Sequence, residues 1–120
     1  MNLIEKFLDQ GYKFHCEAKL DLAAASYGQV LTMEPNHFDA LHLMGLIESE
    51  SKRFDQAVIY FTKAIEIDPH RACVYNHLGN ALSALQLYAY ALNSYEAART
   101  LEPKNPSILN NKAMLLMEMR

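Results

Sequence analysis

The chain is poor in the residues that punctuate or staple a fold. Four glycines and four prolines in 120 residues are too few for a loop-rich or collagen-like chain. Two cysteines, Cys16 and Cys73, cannot build a disulfide framework and read as free thiols in a reducing compartment. No apolar run approaches the roughly 20 residues that span a bilayer. The opening residues are broken by Glu5, Lys6 and Asp9, so the uninterrupted apolar stretch of a signal peptide is missing. A basic excess is missing too. The net charge is −3, acids and bases are interspersed, and Lys52-Arg53 is the only adjacent basic pair. That excludes the electrostatic footprint of a nucleic-acid binder and the polybasic arm of a membrane binder. The expectation is a cytoplasmic protein with neither nucleic acid nor membrane as partner.

Catalytic signatures are equally scarce. The glycines are isolated, so there is no phosphate-cradling loop, and neither a nucleophile elbow nor a metalloprotease histidine pair is found. Cys73 and His77 lie four apart on one helical face, with His42 one unit earlier. Thiolate and imidazole suit zinc, but no fourth ligand is evident, so a bland free thiol is preferred and no metal or cofactor is expected. The chain reads as a non-enzyme.

What is present is a beat. Glu34-Pro35, Asp68-Pro69 and Glu102-Pro103 recur every 34 residues, and Gly11, Gly45 and Gly79 keep the same interval. A fixed period of this length marks an array of small stacked units. Within each period two helical stripes can be read at i, i+3, i+4, i+7 spacing. Tyr75, Leu78, Gly79 and Leu82 give one face and Ala91, Tyr95 and Ala98 the next; Leu41, Met44, Gly45 with Ala57, Phe61, Ala64, and Phe7, Gly11, Phe14 with Ala23, Tyr27, Val30, repeat them. Alternating strand patterns with hairpin turns are absent, which predicts an all-α chain. Glycine in the first helix admits a close neighbour. Ala23, Ala57 and Ala91 are expected to close onto that notch, and the aromatics Tyr27, Phe61 and Tyr95 to fill the space between units. Each proline ends a second helix, and Asn36 is the expected N-cap of the next first helix, with Asp39 completing an approximate capping box.

These residues resemble the tetratricopeptide repeat. Tyr75-Asn76-His77-Leu78-Gly79 with Ala91, Tyr95, Ala98 and Pro103 carries its pattern most fully, Leu41 to Gly45 with Ala57, Phe61, Ala64 and Pro69 nearly as well. The first unit is degenerate, with Gln10 before its glycine and Val30 for the late alanine. The units are placed at 4–37, 38–71 and 72–105, and 106–120 is read as the first helix of a partial fourth repeat or a cap, with Leu109, Ala113 and Leu116 in register. The resemblance implies a right-handed superhelix of antiparallel helix pairs, an α-solenoid whose concave face is lined by the first helices. It also implies a scaffold that binds a peptide or protein segment there.

The expected groove residues are Leu8, Tyr12, Asp39, His42, Leu43, Leu46, Cys73, Asn76, His77, Asn80, Asn110 and Asn111, and none is lysine or arginine. That speaks against one subfamily, whose carboxylate clamp of cations and amides grips acidic tails. Its positions here would be Leu8, Tyr12, Leu43, Cys73 and His77, or one unit on His42, Leu46, His77, Ser107 and Asn111, and none supplies the charge-assisted donor such a clamp needs. The asparagine ladder of the O-linked N-acetylglucosamine transferases is matched only at its last rung, the column reading Asp9, Leu43, His77, Asn111. A groove of neutral to acidic, partly apolar character is left.

The end of the chain, NNKAMLLMEMR, is apolar where an array normally presents a polar cap. Ile108, Leu115 and Met119 are expected to be uncovered, as a self-association surface that would make a homo-oligomer through the C-terminal helix. The other explanation is a longer protein of which this is the N-terminal part, favoured by a stop in mid-unit without a terminal Gly or Pro signal. A module selecting substrates for a glycosyl-, methyl- or sulfotransferase-like enzyme is the alternative to a free-standing scaffold.

Overall fold

The computed structural model describes all residues from Met1 to Arg120 and contains seven α-helices. These are α1 (Leu3–Cys16), α2 (Leu20–Met33), α3 (Phe38–Glu50), α4 (Phe54–Ile67), α5 (Ala72–Ala84), α6 (Tyr88–Leu101) and α7 (Pro106–Glu118). They pack in sequence as α1 on α2, α3 on α4 and α5 on α6, with α2, α4 and α6 bridging to the next pair and α7 closing the series against α6 and α5. The result is an all-α solenoid of helix pairs, 47 × 25 × 22 Å.

The turn inside each pair follows one rule. Ala18, Lys52 and Gln86 take positive φ values of 60°, 63° and 62°, one per period. The left-handed residue lets two amides reach back: Ala18 N–H donates to His15 O and Lys19 N–H to Phe14 O, and the same two bonds recur at Lys52/Arg53 and Gln86/Leu87. This is the Schellman closure, here made without glycine. The second helices end where the following proline forces Glu34, Asp68 and Glu102 out of the helical region, their φ values being −134°, −140° and −136°.

Each glycine notch is filled by the ring of its own unit, not by the alanine. A Cβ at Gly79 would lie 2.5 Å from Tyr95 Cε1 and one at Gly11 2.5 Å from Tyr27 Cε1, and Phe61 seats on Gly45 in the same way. Ala23, Ala57 and Ala91 are fully buried in the same clusters as these rings, so both residue types are core, with the ring and not the alanine seated in the notch. The N-cap of α3 is His37, whose Nδ1 accepts from Ala40 N–H at 3.2 Å. Helix α3 starts one residue later than expected, which leaves Asn36 outside it.

The expectation for the last helix is corrected as well. Ile108 and Leu115 are 1% and 2% exposed, not uncovered. They occupy the positions of Val74 and Ala81 one period earlier, which face the preceding helix pair, and they join the clusters around Ala72 and Ala98 and around Leu82, Ala91 and Tyr95. The open apolar face consists of Leu109, Ala113 and Leu116, beside Met117 and Met119. These stand where Tyr75, Gly79 and Leu82 receive their second helix, and α7 has none.

Candidate functional site

The first helices α1, α3, α5 and α7 place side chains of every unit on one continuous face. Along it, column by column, stand Glu5, Asp39, Cys73 and Ser107, then Asp9, Leu43, His77 and Asn111, then Tyr12, Leu46, Asn80 and Met114. Tyr12 and Met114 are 62% and 58% exposed; Asp39, Cys73 and Asn80 are also exposed, whereas Leu43, Leu46, His77 and Asn111 are half-buried.

A different column joins the units. Side chains bond across first helices at a separation of 35 rather than 34: His15 Nε2 lies 2.9 Å from Glu50 Oε1, His42 Nε2 2.9 Å from His77 Nδ1, and Asn111 Nδ2 donates to Asn76 Oδ1 at 3.1 Å. Leu8 and Leu43, the corresponding pair in the first two units, pack on one cluster with Tyr27 and Ile47. Leu8, His42 and Asn76 therefore lie between units. Asn76 is buried, which corrects its expected place as a groove contact, and His42 faces His77 rather than open groove. Asn110, at the same position of the last unit, is exposed.

The histidine pair is the electrostatic oddity of this face. His42 stacks near Phe38, edge-on to Phe61 and tilted against His77. Burial first, then the neighbouring imidazole of His77 and the guanidinium of Arg71, push its pKa down to about 4; Asp39 acts the other way. Burial lowers His77 too. Both rings are thus neutral near pH 7, which allows one to donate and the other to accept. The zinc corner of Cys73, His77 and His42 is not assembled: the imidazoles bond each other, and no three His, Cys, Asp or Glu side chains converge on a point.

At the C-terminal end the face deepens into a cavity of about 430 Å³, lined by Asn80, Ser83 and Ala84 of α5, Tyr88 and Tyr95 of α6, and Asn111, Met114, Leu115 and Glu118 of α7, with Gln86 at the turn. The Tyr95 hydroxyl donates to Asn80 Oδ1 at 2.5 Å, and burial raises its pKa to about 12. Glu118 and Ala84 were missed by the sequence reading. Their column, Cys16, Glu50, Ala84 and Glu118, lies one further helical turn along each first helix, and the same period finds it.

A family model described as Tetratricopeptide repeat matches residues 38–71. Anaphase-promoting complex subunit 3 of Schizosaccharomyces pombe is 24% identical over 108 residues, which is 90% of this chain and 16% of that protein. The chain thus spans about a sixth of that relative's length. Among solved structures, the first TPR of Spaghetti (RPAP3) bound to the HSP90 peptide SRMEEVD superposes with a TM-score of 0.93 at 22% identity, covering 97% of this chain and 92% of that one. A Thermobaculum terrenum O-GlcNAc transferase mutant superposes with a TM-score of 0.89 at 24% identity, over 95% of this chain and 22% of that one.

Proposed function

Because the chain is a tetratricopeptide-repeat protein, we propose that it is a protein–protein interaction module that holds a peptide or protein segment along the face of α1, α3, α5 and α7 and has no catalysis of its own. The observation that carries this is the continuous face itself, with Tyr12 on α1 and Met114 on α7 exposed toward its two ends and Leu43 and Leu46 half-buried on α3 between them. Exposed aromatic and methionine side chains are frequent anchors of recognition.

The segment is not an acidic tail. The similar Spaghetti domain holds SRMEEVD, but Leu8, Tyr12, Leu43, Cys73 and His77 offer such a tail no cation, and Glu5, Asp9 and Asp39 would repel it. Peptide panning separates the possibilities. Binders selected on the intact chain lose affinity on Tyr12→Glu, a solvent-facing change that leaves helicity intact. Undiminished binding to that variant moves the site elsewhere, and selection of acidic C-terminal peptides restores the clamp.

Two further readings draw on particular observations. The exposed stripe of Leu109, Ala113 and Leu116 on α7 supports self-association. The match to 22% of a transferase chain and 16% of an anaphase-promoting complex subunit supports a targeting module within a larger protein. The reading frame beyond Arg120 decides the latter: a transferase domain there establishes it, and a stop codon removes it.

A further inference from the structure

We infer that the cavity between α5 and α7 is an anchor pocket for an arginine or lysine side chain of the bound segment. The inference rests on the groove reading above and specifies its ligand. It comes from the unpaired carboxylate of the pocket wall and the charge of the face that leads to it. Tyr95 gives its only proton to Asn80, and Asn111 turns an amide N–H to Asn76. Asn111 Oδ1 and the Glu118 carboxylate have no protein partner, and the Tyr95 oxygen keeps a lone pair. Free donors are present too, on the Asn80 and Gln86 amides, the second Asn111 N–H and the Ser83 and Tyr88 hydroxyls, so the one charged group of the wall, the Glu118 carboxylate, sets its preference. An unpaired carboxylate beside free amide and phenol oxygens is answered best by a cation with several N–H donors, which guanidinium and ammonium are.

Charge agrees with hydrogen bonding. Glu118 is the only ionisable carboxylate or cation in the lining, and Glu5, Asp9, Asp39 and Glu50 stand along the face that leads to it, without a lysine or arginine among the columns described. Arg71, at the start of α5, is held over the Phe38 ring at 5.0 Å. Size agrees too. A cavity of about 430 Å³ admits a long side chain whose methylenes run along Met114 and Ala84 while the head reaches Glu118. An acidic side chain there would meet Glu118 without a counter-charge.

The experiment is selection from a random peptide phage library on the immobilised intact chain, followed by anisotropy titration of the best binder as a labelled peptide. Enrichment of arginine or lysine is expected, and replacing that residue by citrulline, which keeps shape and loses charge, should weaken binding by about fivefold or more. Glu118→Gln should cause a similar loss and make the arginine and citrulline peptides equivalent. Binders without a basic residue, or basic binders indifferent to Glu118→Gln but sensitive to Tyr12→Glu, overturn the anchor while leaving the groove. Binders indifferent to both variants overturn the groove reading, and no enrichment at all overturns both. Circular dichroism of Glu118→Gln, expected to match the parent, excludes misfolding as the cause.

Discussion

At the residue scale, the three units solve one packing problem with matched pairs. The ring that fills each glycine notch faces a residue on the first helix: Tyr27 faces Tyr12, Phe61 faces Leu46, and Tyr95 faces Asn80, by the fifteen-residue offset of the Tyr95–Asn80 bond. Tyrosine is paired with a polar residue and phenylalanine with an apolar one. The Tyr27 hydroxyl, buried without a partner in the fold, is the imperfect case. Asn80→Leu should therefore cost about 1–2 kcal/mol by stranding the Tyr95 hydroxyl. Adding Tyr95→Phe, which recreates the second unit, should recover most of it; a cycle with no coupling energy on denaturant titration would refute the pairing. Tyr27→Phe should be neutral or slightly stabilising.

The histidine pair gives the second prediction at this scale. His42 titrates near 4 in the folded chain and near 6.5 once unfolded. Between those values the unfolded chain binds the extra proton, so stability is full above about pH 6.5 and declines as pH falls toward 4. Its partial exposure limits the loss to about 1–2 kcal/mol. Glu96 is not responsible over that window. Hydrogen bonds from Arg99 and then Lys112 hold its carboxyl at about 2, so its own contribution is present above the ordinary carboxylate pKa and is lost only below it. Urea midpoints at pH 7.5 and 5 should differ for the parent and less for His42→Gln, which leaves only the share of His77, lowered by burial in the same direction. An equal difference in both would place the titration in other groups.

At the scale of the element, helix ends and pairs were legible because their causes are local. Prolines set the stops, the period-34 glycines and aromatics set the pairing, and apolar spacing set the faces. What the period cannot reveal is contact. It says that His42 and Asn76 occupy equivalent positions, whereas the structure bonds His42 to His77 and Asn76 to Asn111. The one-residue offset depends on how neighbouring first helices shift and rotate against each other, and columns counted at the repeat length miss it. The same blindness put Asn76 in the groove, whereas Ile108 and Leu115 read as uncovered because α7 has no second helix, although their face meets the preceding pair. The glycines make the contrast measurable. In isolation, glycine to alanine in a helix gains about 1 kcal/mol. Gly28 has nothing within 4 Å of where a Cβ would stand, so Gly28→Ala should realise about that gain. Gly79→Ala should instead lose about 1–3 kcal/mol, since its Cβ would displace the Tyr95 ring. Thermal melts moving in the same direction for both would mean that ring and glycine do not constrain each other.

For the whole molecule the two ends of the solenoid are chemically unlike. Lys6, Gln10 and Lys13 of α1 are exposed at the positions where Ala40, Met44 and Ile47 of α3 are buried, so the N-terminal end is faced with polar side chains. At the other end Leu109 and Leu116 are 43% and 45% exposed on either side of Ala113. Stacking end to end would bury two lysines against leucines, a desolvation without compensation. A two-fold contact of α7 with α7 sets leucines beside leucines and has the smaller alanine at its centre. Ala113 also stands where Gly79 admits the Tyr95 ring, so a second helix bearing an aromatic at that position would clash. Self-association of this chain should therefore close as a dimer and not extend into filaments. Light scattering should show a concentration-dependent monomer–dimer equilibrium, with Leu116→Glu shifting it toward monomer by more than about tenfold through burial of a charge. Lys13→Glu should leave it unchanged. A strict monomer at every concentration would refute the dimer, and particles growing beyond it, abolished by Lys13→Glu, would show that the two ends meet after all.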